Sequence, residues 1–322
     1  MLMENLRSVR VLAEVEAEGS FSAAARSLGL SQSAVSQHVA ALEARVGATL
    51  VERGTRPVVL TEPGHAVVRH GRAALARLES AEQELAEIAG RREGRLRLGS
   101  FPTALTTFVP AALARFRRER PATSLTVVDD HLQRLLPRLD DGELDLAIVY
   151  EHPVLDTRTT RDLERVALLV DEFVLVLPSG HALAGGPVPD LAALARDTWV
   201  GGTPGSAWFQ IVREGCRAVG FAPRVGFASD DYSAVVAFVA AGLGVALVPG
   251  LAAVHPAPGV TVVRVRAGAP ARRIVAVRPR DAMPTASAQV MLEALAASPR
   301  PFRLRDTPTG GVTPRGAGAP AR

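Results

Sequence analysis

Five uncharged residues with hydrogen-bonding side chains lie close together near the N-terminus, at Ser31, Gln32, Ser33, Ser36 and Gln37. Through the same segment, apolar residues recur at steps of four, three and four, at Val35, Val39, Leu42 and Val46. This spacing predicts a helix that buries its apolar face and turns the polar residues outward. Because glutamine can form two hydrogen bonds with the edge of adenine, the polar face is suited to reading bases in the major groove of DNA.

The residues before this helix predict a second helix packed against it. Ser22 is the expected cap of a short helix containing three consecutive alanines, Gly29 supplies a tight turn, and Ser31 caps the polar helix. The small alanine side chains allow the two helices to cross closely. A helical hairpin with a merely solvated polar face is the alternative interpretation of this segment.

The segment Leu50–Thr61 favours the DNA-binding interpretation. It predicts a two-stranded hairpin with Arg53 and Arg56 at its tip, where both side chains can reach phosphates or the minor groove. Together with the two helices, the hairpin predicts a winged helix-turn-helix.

Net charge does not support or exclude DNA binding. All 37 basic residues are arginine, and residues 1–90 hold nine of them against eleven acidic residues, a net charge of −2. The excess is concentrated in residues 298–322, where five arginines face one aspartate in a Pro- and Gly-rich stretch that we expect to be disordered. The single cysteine, Cys216, excludes an internal disulfide and any multi-cysteine metal site, which fits a cytoplasmic location.

A long helical segment follows the hairpin at residues 63–90 and opens just after Pro63-Gly64. Its larger apolar residues form one narrow seam, at Leu75, Leu78, Leu85 and Ile88. A narrow seam on a long helix favours a coiled-coil partner, which predicts dimerisation, over packing against its own chain.

From Gly94 to about Met291 short apolar strands alternate with helices, which predicts parallel α/β units. The expected strands are Arg95–Gly99, 125–128, 144–149, 166–170, 173–177 and 245–248. Residues 233–254 carry no charge, but glycines and a proline divide them into a buried helix and a buried strand rather than a membrane span.

These motifs resemble those of the LysR-type transcriptional regulators. The agreement runs through residues 20–64, in the Ala pair after Ser-Phe, the Ser-Gln before the polar helix, the Ala-Leu-Glu followed by Gly, and the Leu-x-Glu-Arg and Leu-Thr-x-x-Gly of the hairpin. It continues in Gly-Glu-Leu-Asp-Leu-Ala-Ile and Gly-Leu-Gly-Val-Ala-Leu-Val-Pro, and covers roughly residues 4–297. Family members often carry proline at Ser33 or Ala34 and arginine at Gln37.

The resemblance implies an α/β protein with an all-α N-terminal part. Residues 1–62 would form the winged helix-turn-helix, residues 63–90 the dimerising linker helix, and residues 91–297 a two-lobed, periplasmic-binding-protein-like effector domain before the tail 298–322. It implies a homodimer or homotetramer that binds double-stranded operator DNA and a small-molecule effector. No membrane association and no cofactor are expected. Effector identity, target genes, and activation or repression stay open.

Carried over by position, the resemblance also implies effector contacts. Ser100 and Thr103 match the family's first contacting turn, and His131 in the Asp130-His131 turn matches the second. The third is matched by Thr203 and Ser206, and Asp230 would lie on the opposite lobe, facing the cleft. Each of these residues can instead be an ordinary turn cap. Hydroxyls and amides favour a carboxylate-bearing ligand, whereas Asp129, Asp130 and Asp230 favour a polar or cationic one.

An enzyme on the same two-lobed fold is the main alternative function. It requires a nucleophile or an acid–base pair, and the sequence offers no such set, so we expect no enzymatic activity. No metal site is expected either, because the histidines are scattered and the nearest pair on one helix, His65 and His70, favours a solvated face. Cys216, with arginines nearby, is expected to be an inert helix residue.

Overall fold

The computed structural model describes residues 6–52, 54, 56–88, 94–156, 162–266, 268–280 and 285–298. The chain divides into two compact units. The first comprises residues up to Asp171 together with those from Ala271, and the second comprises Glu172–Pro270. Apart from Ser298, the predicted C-terminal tail lies outside the described residues.

The N-terminal region consists of helices α1 (Leu6–Glu18), α2 (Phe21–Leu28), α3 (Gln32–Val46) and α4 (Glu62–Ile88). Gly29 adopts the left-handed conformation, with φ of 64°, and turns the chain between α2 and α3 as predicted. Ser31 caps α3 as predicted, since its hydroxyl accepts a hydrogen bond from the Ala34 N–H. The cap of α2, however, is Ser20 and not Ser22. The Ser20 hydroxyl accepts from the Ala23 N–H, and Ser22 lies inside the helix.

One apolar core joins the helices and the hairpin, and it includes Leu12, Val15, Val35, Val39, Leu42, Leu50, Leu60 and Val68. The buried face predicted for α3 is therefore confirmed for three of its four residues. The prediction was wrong for Val46, which is 37% exposed. Val46 is the last residue of α3, and the left-handed Gly47 ends the helix directly after it.

The predicted hairpin is present in a minimal form. Val51 and Leu60 form one antiparallel bridge, flanked by hydrogen bonds from the Glu52 N–H to the Val59 carbonyl and from the Thr61 N–H to the Leu50 carbonyl. The turn between them contains Gly54 and the exposed Arg56, whereas Arg53 lies outside the described residues.

Helix α4 begins at Glu62, before Pro63-Gly64 rather than just after them, and Thr61 accepts a hydrogen bond from the Gly64 N–H at this end. Gly71 allows close packing on α1, because a side chain there would overlap Val9. Arg72 pairs with Glu16 of α1 at 3.0 Å. Beyond this contact the helix carries large exposed apolar side chains, with Leu78 49% and Leu85 64% exposed.

In the first unit, a sheet in the order β2, β1, β3, β9 and β4 is covered by helices. The elements are β1 (Arg95–Ser100), α5 (Pro102–Leu105), α6 (Val109–Glu119), β2 (Ser124–Asp129), α7 (Leu132–Asp140), β3 (Leu146–Glu151), β4 (Leu163–Pro178), β9 (Ala271–Pro279) and α10 (Ala286–Ala296). Strand β1 pairs in parallel with β2 and β3, whereas β9 runs antiparallel to β3.

The second unit contains the C-terminal part of β4, followed by β5 (Thr198–Gly201), α8 (Ala207–Ala218), β6 (Arg224–Ala228), α9 (Tyr232–Ala240), β7 (Ala246–Pro249) and β8 (Val260–Val263). Strands β7 and β8 pair antiparallel with β4, and β5 pairs in parallel with β6. The uncharged stretch 233–254 holds β7 and all of α9 after Tyr232. Strand β7 is buried as predicted, but the prediction of a buried helix was wrong for most of α9, of which only Val235 and Val239 are buried. None of the described helices combines the length and apolar character that crossing a bilayer requires.

The α/β fold class is confirmed, with corrections to its details. The strands predicted at 166–170 and 173–177 are one strand, β4, because the charged residues between them do not interrupt its backbone. Two helices, α5 and α6, follow β1. The parallel arrangement holds for β1, β2 and β3 and for β5 and β6, but β4 and β9 have antiparallel neighbours. Alternation along a strand does not encode its direction.

Candidate functional site

The predicted base-reading residues lie together on the surface of the first two turns of α3. Ser31, Gln32, Ser33, Ser36 and Gln37 are all exposed, and Val35 between them is completely buried. The side chains of Ser36 and Gln37 make no hydrogen bond with any described residue. The surface therefore combines a fixed helix backbone with polar groups that a partner can reach.

Gln32 has a neighbour that sequence reasoning missed. The hydroxyl of Ser22, on α2, donates a hydrogen bond of 3.0 Å to Gln32 Oε1. At the same helix end, Ser31 and Ser33 share a hydrogen bond between their hydroxyls at 2.9 Å. These contacts orient the N-terminal end of α3, where backbone N–H groups and the helix dipole favour a phosphate.

The dimerisation seam is exposed where its side chains are described. Leu78 and Leu85 are exposed, whereas Leu75 is half-buried. The side chain of Ile88 lies outside the described residues.

In the first unit, the structure brings the first and second predicted effector turns together. Ser100 and Asp129 are register partners at the carboxyl ends of the parallel strands β1 and β2. The Asp130 N–H donates to the Ser100 carbonyl at 3.1 Å, which joins the two turns. His131 is exposed at the start of α7. This is the edge of a parallel sheet at which ligands bind in open α/β folds.

Ser100 and Thr103 are buried polar residues in very different states. Ser100 Oγ is buried without a hydrogen-bond partner among the described residues. Thr103 Oγ1 accepts a hydrogen bond of 2.9 Å from Nη2 of Arg272, at the start of β9. Because a buried hydroxyl without a partner costs free energy, Ser100 is a departure from ordinary packing.

Arg272 is the centre of a buried cluster that sequence reasoning missed. Its guanidinium pairs with Asp171 of β4 at 2.9 Å, and both side chains are only 3% exposed. Its Cζ lies 5.0 Å from the ring centre of Phe101 and 4.6 Å from that of Tyr150, distances typical of cation–π contacts. The sequence contained one sign of this cluster. Side chains alternate between the two faces of a strand, and Arg272 lies on the same buried face of β9 as Ile274.

In the second unit, the three remaining predicted residues also lie together, at the carboxyl ends of β5 and β6. The Asp230 carboxylate accepts from the Thr203 N–H at 3.0 Å and from the Thr203 hydroxyl. Ser206 caps α8, because its hydroxyl accepts from the Phe209 N–H at 3.2 Å. These polar groups are therefore engaged with one another or with the backbone.

The cysteine and the histidine considered for thiol or metal chemistry occupy structural positions. Cys216 is buried in α8, and burial raises the pKa of its thiol to about 12. His65 forms a hydrogen bond with Glu16 across α4 and α1 at 2.9 Å. No group of three or more potential metal ligands occurs within the described ranges.

Two family profiles match the chain. One is described as the helix-turn-helix of bacterial regulatory proteins of the lysR family, at residues 6–65, and the other as the LysR substrate binding domain, at residues 89–300. A probable hydrogen peroxide-inducible genes activator of Mycobacterium avium is 34% identical over 248 residues, covering 76% of this chain and 77% of the relative.

Solved structures agree with these matches. The peroxide-bound C206S mutant of Corynebacterium glutamicum OxyR superposes with a TM-score of 0.56 at 26% identity, covering 90% of this chain and 93% of that one. Full-length CbnR in complex with its target DNA gives a TM-score of 0.61 at 21% identity, over 90% of this chain and 98% of that one, which supports the fold.

Proposed function

Because this chain belongs to the LysR family of bacterial transcriptional regulators, we propose that it reads its operator through the exposed polar face of α3. It is a DNA-binding transcriptional regulator with an effector-binding domain, and not an enzyme. Operator DNA and a small-molecule effector are its partners, and it acts as a homo-oligomer.

The proposal rests on the observation that α3 has one buried apolar face and one exposed polar face. Val35, Val39 and Leu42 are buried in the N-terminal core, so the helix cannot rotate without exposing them. Gln32 and Gln37 are thereby held toward solvent. A fixed helix with amide side chains on its N-terminal half is the arrangement that reads base edges in the major groove.

Phosphate contacts are assigned to residues around this helix. The hydroxyls of Ser31, Ser33 and Ser36 lie at or near the N-terminus of α3, where an anion is favoured. Arg56 is exposed on the hairpin turn, and Arg53, outside the described residues, is assigned the same role from its position in the sequence.

The seam on α4 is assigned to pairing between protomers. Leu78 and Leu85 are exposed apolar side chains at helical spacing, and Leu75 and Ile88 extend the same seam in the sequence. A second α4 helix packed along this seam would bury all four. Two heads on one dimer require half-sites about one helical turn of DNA, or a multiple of it, apart.

The effector is assigned to the turns at the two strand ends. In the first unit we assign effector contacts to Ser100, Thr103 and His131. In the second unit we assign them to Thr203, Ser206 and Asp230. The buried, unpartnered hydroxyl of Ser100 gives the strongest support, because a ligand would supply the missing partner. We place the chain in the cytoplasm, where its operator DNA is found.

Regulation of this chain does not involve thiol oxidation, although relatives carry names as hydrogen peroxide-inducible activators. Reaction with peroxide requires an accessible thiolate. Cys216 is the only cysteine of the sequence; it is buried, and its pKa is far above neutral pH. We therefore assign control to reversible binding of an effector.

Fluorescence anisotropy tests the role of α3. A labelled duplex from the DNA upstream of the chain's own gene is compared with a shuffled duplex of the same composition. We expect Gln32→Ala to weaken binding to the first duplex by about 1–3 kcal/mol and to leave binding to the second unchanged. Gln289→Ala, the same change at an exposed position of α10, serves as the control. Equal losses on both duplexes would refute base reading by Gln32.

A further inference from the structure

We propose that Arg272 is a positioning residue that holds Thr103 as a hydrogen-bond donor, so that the first unit selects effectors presenting a carboxylate or another anionic acceptor. This inference rests on the effector contacts assigned above to Ser100 and Thr103. It adds the chemical class of the ligand and a residue that sets this class.

The polarity of the Thr103 hydroxyl follows from its partner. A guanidinium can only donate hydrogen bonds, so Thr103 Oγ1 must accept the one from Arg272 Nη2. The hydroxyl proton then has no acceptor among the described residues. Thr103 is therefore left with one hydrogen bond that it can donate.

The guanidinium is itself held in place on several sides. Asp171 accepts from both Nε and Nη2 of Arg272, and the rings of Phe101 and Tyr150 lie against the guanidinium carbon. Phe101 and Tyr150 contact each other edge to face, with ring centres 5.2 Å apart. All four partners are buried, so the direction of the Arg272 donor toward Thr103 is fixed by packing as well as charge.

Ser100 supplies a second donor in the same turn. Its hydroxyl is buried and has no partner within the described part of the chain, and it lies three residues before Thr103. Two hydroxyls with available protons favour a ligand group that only accepts hydrogen bonds, and a carboxylate can accept from both.

The acidic residues of the region do not provide a cation site. Asp130 accepts from the His131 N–H and lies 3.7 Å from the Arg134 guanidinium and 3.6 Å from that of Arg138. In the second unit, Asp230 accepts two hydrogen bonds from Thr203. The alternative of a cationic effector, which the sequence left open, therefore loses two of its three carboxylates.

The test is a ligand-detected NMR titration of the full chain without DNA. The probes are benzoate and butyrate, each compared with its primary amide and with the amine of the same carbon skeleton. We expect the carboxylates to bind and the amines not to bind. Thr103→Val should weaken carboxylate binding about tenfold or more, the loss of one hydrogen bond to a charged group, and Thr103→Ser should retain it.

Arg272→Lys tests the positioning role through selectivity. Lysine keeps the charge but lacks the planar fork that reaches Asp171 and Thr103 together, so the orientation of the Thr103 hydroxyl is no longer imposed. The ratio of the affinity for a carboxylate to the affinity for its primary amide should then fall toward one. A loss of stability alone would not change this ratio. If this variant does not fold, the Thr103 pair still decides the donor role.

The outcomes separate the two levels of the proposal. Tighter binding of amines than of carboxylates, or no binding of any carboxylate, overturns the inferred ligand class. Carboxylate binding that is unaffected by Thr103→Val and by Ser100→Ala overturns the assigned contact residues themselves. Binding that needs both hydroxyls, but with selectivity unchanged in Arg272→Lys, rejects only the positioning role of Arg272.

Discussion

The two predicted effector turns have the same construction but different hydrogen-bond states. In the first unit, Ser100 and Thr103 follow β1, which pairs in parallel with β2. In the second unit, Thr203 and Ser206 follow β5, which pairs in parallel with β6. The second pair is engaged by Asp230 and by the backbone of α8, whereas the Ser100 hydroxyl has no partner in the part of the chain that the structure describes.

The hydrogen-bond partners of these hydroxyls distinguish a structural role from a candidate role in ligand binding. Ser206 caps α8, so the fold already explains the position of its hydroxyl. Ser100 has no such role. The hydrogen-bond state therefore ranks the two turns as candidate ligand contacts, although their residue types alone do not distinguish them.

The largest expected effect concerns another side chain of the second unit, that of Cys216, whose thiol should be inert. Burial raises its pKa from about 9.0 to about 12, so the thiolate fraction at pH 8 should be about a thousandfold lower than in an unfolded chain. We expect alkylation by iodoacetamide to be slower by a factor of this order in the native protein than in urea. Mass spectrometry of timed samples measures both rates.

The sign of the pH dependence is also fixed. Because the pKa of Cys216 is raised in the folded state, stability from this group is complete below about pH 9 and is lost as the pH rises toward about 12. Cys216→Ala should flatten this alkaline decline, as measured by urea unfolding. Rapid native alkylation at pH 8, or operator binding that changes on peroxide treatment of wild type but not of Cys216→Ala, would contradict the assignment.

The second largest effect compares the loss of a carboxylate that pairs with a buried arginine with the loss of one that accepts from a threonine. Asp171→Ala leaves the Arg272 guanidinium buried without its carboxylate, which should destabilise the first unit by about 3–5 kcal/mol. Asp230→Ala, in the second unit, removes hydrogen bonds to Thr203 but leaves no buried cation without its carboxylate. It should therefore lower the free energy of unfolding by less. Urea unfolding followed by circular dichroism compares the two. Equal losses would show that the Arg272 pair is not a special feature of the first unit.

Much of α3 could be predicted because its signals are local. Three of the four residues assigned to its buried face are buried, and Gly29 and Ser31 perform the turn and the cap that their types indicate. The errors are local as well. Ser20 rather than Ser22 caps α2, and Val46 is exposed because the helix ends there. Periodicity does not locate the last turn of a helix.

The Arg272 cluster could not be predicted because its members are far apart in the sequence. Asp171 and Arg272 lie on β4 and β9, and they meet Thr103 only after the sheet has formed. Local pattern also divided β4 into two strands, since Asp171 and Glu172 resembled a break. A charged residue at an inward position of a strand was the one local sign of the cluster.

The smallest expected effect is the most direct test of the comparison, because only one of the two matching substitutions should lower the stability of the protein. Ser206→Ala removes the cap of α8 and should destabilise the protein by about 1 kcal/mol. Ser100→Ala removes a buried hydroxyl that has no partner, so it should leave stability unchanged or raise it by about 1 kcal/mol. Urea unfolding of the ligand-free protein measures both. A clear loss of stability in Ser100→Ala would mean that this hydroxyl already has a structural partner, and the two turns would then be equivalent.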